Sequence, residues 1–418
     1  MADKDLSAIA HKTPVTGLTD TAAPLDLARL RQYRLGRVRE QLEASDCAGC
    51  LLIDPINIRY ATGSRNYSLF QAHTPGRYLF VATRGPIVLF DAVACHETAR
   101  GLGTITEFRP ALPFSYFFSG SRLQESIEAW AAELASLFHS AAGGSKRLAV
   151  DRLDVASASA LARHGIELVD AQAPLERARS IKSAEEVLCM NYSLAVADIA
   201  MARMREALRP GLTENELFAV LYHTNIAMGG EWIETRLLTS GPRTNPWYQE
   251  AGERVIRPGD LVGFDTDLVG PFGYLADVSR TFLCGPRKPT PEQKRLYGIA
   301  YDQLCHNLAL LKAGVSFREF SEKSWTVPSE FLANRYLMLV HGAGMVDEYP
   351  VVPFPQDFEA SGYDGTFEEN MVVCVESYIG AEHGAEGVKL EEQVVVTRTG
   401  FTNFCGFPFD EALLGRTI

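Results

Sequence analysis

Residues 259–282, GDLVGFDTDLVGPFGYLADVSRTF, set three of their four aspartates, Asp265, Asp267 and Asp277, at two short apolar runs. The turn Pro258-Gly259-Asp260 leads into an apolar strand that ends at Asp265-Thr266-Asp267. A loop containing Gly and Pro follows, and a second strand carries Asp277 just ahead of Val278-Ser279-Arg280-Thr281-Phe282. Side chains at i and i+2 of a strand share a face. Asp265 and Asp267 are therefore expected to point together, toward Asp277 on the paired strand. Three carboxylates at one point repel one another and raise at least one pKa unless a cation neutralises them. A polar hairpin tip is the ordinary fate of a D-x-D stretch, so the rest of the chain has to decide.

Three later positions bear on that choice. His341 lies in LMLVHGAGMVDEYP, where an apolar run meets a Gly-rich turn; Glu376 ends the buried run NMVVCVES; Glu391 opens another in GVKLEEQVVV. Burying an unpaired carboxylate at such a margin is costly. Taken singly, each residue reads as a satisfied structural group.

The whole chain of 418 residues accommodates two or three domains, and its 46% hydrophobic and 22% charged residues are ordinary for a globular protein. A formal charge of −12 argues against a nucleic-acid surface. No run of 18 apolar residues and no apolar N-terminal h-region are present, which predicts neither a membrane span nor a secretion signal. Eight scattered cysteines fit reduced thiols and a cytoplasmic location. Cys47 and Cys50 read as buried thiols opening a strand, since no second pair stands at metal-ligand spacing.

Residues 1–24 read as a polar N-terminal arm. From 25 to 172, helical periodicity (Leu25–Ala44, then 122–139 and SASALARHG) alternates with strands (CLLID, YLFVAT, PIVLFDA, RLAVD), which predicts an α/β domain. From 173 to 418, helices over 184–207, 213–228 and Pro291–Ala313 are interspersed with the hairpin at 259–283 and strands near 335–341, 371–377 and 388–397. That order predicts an α+β domain.

Together, RPGDLVxxD, ADVSRTF, HGxG, VxxE and VKLEE resemble the pita-bread metallopeptidase family, which includes prolidase, aminopeptidase P and creatinase. The stretch RVREQLEASDCAGCLLIDPINIRYATG resembles that family's creatinase-like N-terminal domain. The resemblance implies an α+β protein in which a creatinase-like α/β N-terminal domain precedes a pita-bread catalytic domain. It also implies two transition-metal positions: Asp265 on one metal, His341 and Glu376 on the other, Asp277 and Glu391 bridging. Oxygen and nitrogen ligands suit Mn, Fe, Co or Zn. A homodimer is implied as well.

The sequence departs from the peptidase pattern at the groups that move protons. Trp247 stands in LLTSGPRTNPWYQE where the peptidases carry a histidine, and Asp347 precedes Glu348 where His-Glu is expected. Asp267 is an added carboxylate, which the resemblance sets at the metals, either as a ligand itself or hydrogen-bonded beside the ligands. DTD with HGAGMVDEYP resembles the peptidase-related dimethylsulfoniopropionate lyases, the DddP family. That likeness implies a β-elimination giving dimethyl sulfide and acrylate, with Asp347 as general base and iron as the favoured metal. A small zwitterionic substrate would be gripped by its carboxylate, with its sulfonium against an aromatic wall of Trp247, and Tyr336 offering a hydrogen bond. Asp347 alone also reads as a turn residue, and Trp247 as a packed aromatic. An X-Pro peptidase, a creatinase-like amidinohydrolase and a non-catalytic binding protein stay open as alternatives.

Overall fold

A computed structural model describes residues 25–415; the arm expected over 1–24 lies outside the described residues. Contacts divide the chain into two compact units that meet in sequence at Arg179 and Ser180.

The first unit is a six-stranded sheet of β1 (Gly49–Leu52), β2 (Tyr78–Ala82), β3 (Ile87–Asp91), β4 (Glu107–Pro110), β5 (Arg147–Val150) and β6 (Glu167–Asp170), ordered β4-β3-β2-β1-β5-β6. The expected hairpin of β2 and β3 is antiparallel, while β5 runs parallel to both β1 and β6. Trp130, Leu134 and Phe138, i and i+4 neighbours on helix Leu123–Ala141, bury their side chains in the core with Tyr78, Phe80 and Leu148. The segment after Asp54-Pro55 is a helix, Pro55–Thr62. The Asp54 carboxylate caps its N-terminus, and Gly63, at φ 80°, closes it. All eight cysteines are free thiols, and Cys47 and Cys50 are buried at the start of β1 as expected.

The second unit opens with helices Ala184–Ala207 and Glu214–Ala227, each held by a complete capping box, Ser183 with Glu186 and Thr213 with Glu216. Ala184–Ala207 is long and apolar enough to cross a membrane, yet half of its apolar window is buried inside the unit. It packs there with Leu217, Leu221 and Phe264, as a core helix does. Two small sheets follow. One is ordered β11-β10-β7, from β7 (Trp232–Ile233), β10 (Leu268–Val269) and β11 (Leu275–Ala276). The other is ordered β12-β9-β8, from β8 (Leu238–Ser240), β9 (Leu261–Phe264) and β12 (Arg280–Leu283). The five-stranded sheet β14-β13-β15-β16-β17 comprises β13 (Val340–Ala343), β14 (Asp347–Val352), β15 (Val372–Ile379), β16 (Val388–Val396) and β17 (Phe401–Asn403).

Side chains join the aspartate-bearing hairpin to this larger sheet. Arg280 Nη1 donates to the Glu391 carbonyl (2.8 Å), Thr281 Oγ1 to the Lys389 carbonyl (2.9 Å), and Glu391 N to the Ser279 carbonyl (3.2 Å). These bonds hold β12 against β16 and so fix the distance between the two halves of the carboxylate cluster.

Two local expectations are corrected. Strand β9 ends at Phe264, so Asp265 and Asp267 lie in the loop beyond it, and Asp267 adopts φ 36°. They converge through a left-handed turn rather than through strand alternation. The strand expected from residue 335 begins only at Val340. Tyr336 therefore lies in a loop, where the Leu337 amide donates to the Tyr248 hydroxyl (3.2 Å) in place of a strand partner.

Candidate metal centre

Register brings the later ligand-type residues together. Glu376 on β15 stands directly opposite Glu391 on β16, and His341 on β13 pairs with Cys374, two positions before Glu376. Like charges facing across a ladder destabilise it unless something neutralises them. His341 Nε2 lies 3.3 Å from Glu376 Oε1, 3.5 Å from Glu391 Oε1 and 3.6 Å from Asp277 Oδ2. His341 Nδ1, 3.2 Å from the Gly342 carbonyl, is placed to donate to it, which leaves Nε2 to face the carboxylates.

The hairpin supplies the other half. Thr266 ties the two strands, its Oγ1 donating to the Ala276 carbonyl (2.9 Å) and accepting from Val278 N (2.9 Å). Asp277 is fixed by its own amide, which donates to Gln393 Oε1 (2.8 Å). The Thr235 hydroxyl donates to Asp267. Asp265, Asp267 and Asp277 can each offer an oxygen, all within 4.8 Å of one another, and Asp277, His341, Cys374 and Glu391 form a second such group. Asp277 belongs to both. The sequence-derived metal set of Asp265, Asp267, Asp277, His341, Glu376 and Glu391 is thus assembled at one place, each side chain buried.

Sequence reasoning missed Lys389. Its ammonium is fully enclosed, 2.6 Å from both Glu376 Oε2 and Ser279 Oγ, 3.0 Å from Glu391 Oε2 and 3.2 Å from Asp265 Oδ2. The signal was available, because Lys389 and Glu391 are i and i+2 on β16 and share a face. Cys374 and Glu376 on β15 are related in the same way.

Burial and mutual repulsion set the ionisation of this cluster. Burial, then Glu391, pushes Asp277 well above the carboxylate range, and burial, then Asp265, does the same to Asp267. Burial and Glu391 also raise Asp265. Glu376 is pushed up to about 7 by burial and then by Glu391. For Glu391 burial also acts upward, but Lys389 and His341 outweigh it and hold the carboxyl below its ordinary value. Burial works against the charged forms of His341 and Lys389, yet the surrounding carboxylates raise both.

A cation site fits these residues. Asp277 Oδ1, Glu376 Oε1 and Glu391 Oε1 are buried and receive no hydrogen bond. One ammonium cannot balance five enclosed carboxylates, whereas a pair of divalent ions would. The donors are oxygen and imidazole nitrogen, with one thiol close by, a set suited to first-row transition metals.

The aromatic candidates are placed differently from one another. Trp247 is buried, with its ring against Gly263 of β9 and Lys389 Nζ 5.8 Å from its centroid. Tyr336 is engaged by Lys389 at 4.7 Å and by Tyr248, stacked at 5.1 Å. Tyr248, which sequence reasoning did not single out, is 45% exposed. Asp347 opens β14 with its side chain 66% exposed and its Oδ1 3.5 Å from His341 Nδ1. Partial burial raises its pKa and His341 opposes the rise, with solvent moderating both.

The cluster gives a pH-dependent stability with a defined sign. Folding raises Glu376 from 4.5 to about 7, so the native state keeps a proton that the unfolded chain releases between those values. Stability of the metal-free protein is expected to fall as pH rises through that window. Saturating Mn²⁺ should remove most of the fall, because the ion replaces the proton. Calorimetric Tm of chelated and Mn²⁺-loaded protein across the window measures this, and parallel curves would contradict it.

Comparison with known proteins agrees with the geometry. The model of metallopeptidase family M24 matches residues 188–398, and that of the creatinase/prolidase N-terminal domain matches residues 34–181. The chain is 38% identical to the dimethylsulfoniopropionate lyase DddP of Roseovarius nubinhibens over 400 residues, covering 94% of this chain and 89% of that protein. It is 36% identical to the DddP of Roseobacter denitrificans over 395 residues, covering 93% and 88%. In fold it is similar to the Xaa-Pro dipeptidase of Bacillus anthracis, with a TM-score of 0.72, 21% identity, and 91% and 99% of the two chains covered. The prolidase of Pyrococcus furiosus gives 0.69, 20%, and 88% and 98%. Creatinase-type N-terminal unit, pita-bread catalytic unit and DddP-like sequence together make this chain a member of metallopeptidase family M24.

Proposed function

We propose that this chain is a metal-dependent dimethylsulfoniopropionate lyase, with Asp347 as the general base. The observation that carries the reading is Asp347 itself, a carboxylate beside His341 at the solvent edge of the metal-ligand cluster. Similarity to the DddP lyases over nearly the whole chain supports the same substrate.

Asp265, Asp267, Asp277, His341, Glu376 and Glu391 would hold two divalent metals, with iron favoured among Mn, Fe, Co and Zn. When bound, that pair fixes the substrate carboxylate and withdraws charge from it, making the adjacent C–H more acidic. Asp347 takes the proton from the carbon next to the carboxylate. The C–H electron pair becomes the new C=C bond, and the C–S bond breaks with its electrons on sulfur. Acrylate and neutral dimethyl sulfide result, and the exposed Asp347 returns its proton to water. A raised carboxyl pKa suits this duty, since a base nearer the working pH accepts a proton more readily.

Lys389 already faces Trp247 and Tyr336, so an entering sulfonium meets Tyr248 as the exposed aromatic surface beside them. Trp247 then acts indirectly, by enclosing Lys389. The amidinohydrolase and binding-protein alternatives gain no support from a site that keeps a full metal-ligand set. The X-Pro hydrolase reading gains the shared fold and family, and 28% identity to Xaa-Pro dipeptidases over 53–56% of the chain.

Asp347→Ala and Asp347→Asn are expected to lower dimethyl sulfide release roughly 100-fold or more, the scale of a lost general base, with metal content unchanged. Headspace sulfide analysis beside an X-Pro dipeptide panel is the check. Proline release without sulfide would overturn the lyase reading.

A homodimer remains part of the proposal. The N-terminal unit exposes Tyr67, Leu69, Phe70, Tyr116, Phe117 and Phe118, and Phe70 and Phe117 meet edge to face at 6.4 Å. A cluster of this kind marks a contact surface. Light scattering should give twice the 46.0 kDa chain mass, and Phe117→Asp/Phe118→Asp should shift it toward one chain. A monomeric wild type would contradict the assignment.

A further inference from the structure

Asp347 begins β14, and strand alternation makes its direction depend on its neighbour. Along Asp347–Val352, residues alternate outward and inward, so Glu348 points into the protein where Asp347 points out. Whatever fixes Glu348 therefore also aims Asp347.

Glu348 is fixed by both carboxylate oxygens. Oε2 accepts from Lys182 Nζ at 2.8 Å, with the two side chains only 1% and 2% exposed. Oε1 accepts from Met345 N at 3.0 Å, and Gly344 N donates to the Val346 carbonyl (3.0 Å), which closes the turn between β13 and β14. The turn is built around that carboxylate, since a Cβ on Gly344 would sit 2.3 Å from its oxygens. Lys182 is itself held, its amide donating to the Asn370 carbonyl (3.0 Å) beside the bridge of Ile181 with Met371. Met371 immediately precedes β15, the strand that carries Glu376.

An enclosed ion pair is a poor device for stability alone, because desolvating both charges offsets most of their attraction. Fixing geometry is a better account of this one. We propose that the Lys182–Glu348 pair is a positioning clamp, which locks the 344–348 turn so that Asp347 is held at His341. Neither residue touches substrate; both act through Asp347. Catalytic groups lose rate steeply with small displacements, so a loosened clamp lowers turnover while leaving carboxylate binding intact.

The inference rests on the lyase reading for its kinetic consequence but not for its structural one. The test compares wild type, Lys182→Met, Lys182→Arg and the double variant Lys182→Met/Glu348→Gln, which removes both charges of the pair and keeps an acceptor for Met345 N. Hydrogen exchange by mass spectrometry reads the turn, and sulfide release reads catalysis, each beside metal analysis. In both Met variants, exchange at 344–348 should rise at least several-fold while the peptides carrying Asp265, Asp277 and Glu391 stay as in wild type. The double variant should retain its metal and show kcat roughly 10-fold lower with KM within about 2-fold, on the scale expected of a modestly misplaced catalytic group. Lys182→Arg should recover part of both. Unchanged exchange in the turn, or a double variant with wild-type kcat, would overturn the clamp. If wild type releases no sulfide, the lyase reading fails, and the exchange result alone still decides the clamp.

Discussion

Five carboxylates enclosed around one imidazole and one ammonium are the constraint on which the catalytic unit depends. Glu376 and Glu391 face each other across adjacent strands, and the aspartate hairpin brings three more acids to the same point. In water such a cluster would disperse. Here Arg280, Thr281 and the Ser279 carbonyl hold β12 to β16 through main-chain groups, and Lys389 neutralises part of the charge from one side. Oxygens that receive no hydrogen bond are left turned toward a common centre. The scaffold thereby meets the cost of assembling the donors before any cation arrives.

On the proposed reading, holding metal and moving protons fall to separate elements of that scaffold. The metal-ligand candidates belong to strands and the hairpin loop of the sheet core, buried and mutually braced. Asp347 belongs to the solvent edge, at the start of a strand and after a tight turn. A residue in that position meets the cluster only at its edge, through His341, with most of its side chain in solvent. This offers a physical route by which a peptidase-like fold can keep its metals and change its reaction. Trp247 fits the same division: it covers Lys389 from within, while the neighbouring Tyr248 takes the exposed position.

Much of this was legible in sequence because the signals were local. Asp, His and Glu at the margins of apolar runs marked the positions, the resemblance to the pita-bread metallopeptidases made them ligand candidates, and the helix expected from 213 starts there with a capping box. Other features depended on contacts distant along the chain. Asp267 was placed on a strand face, whereas it reaches the cluster through a left-handed turn pinned by Thr235, 32 residues away. Tyr336 was placed in a strand, but the following backbone amide is taken by a tyrosine hydroxyl 89 residues distant. Lys389 was not singled out, because the three carboxylates around it come from separate segments. Lys182 carried no signal at all, since its partner lies 166 positions away.

The disposition of the buried acids predicts a binuclear cation site. Anomalous diffraction from crystals of chelated protein soaked in Mn²⁺ tests it most directly. Two peaks among Asp265, Asp277, His341, Glu376 and Glu391, with Lys389 outside them, are the predicted result. No anomalous density at this cluster, with manganese bound elsewhere, would contradict the account.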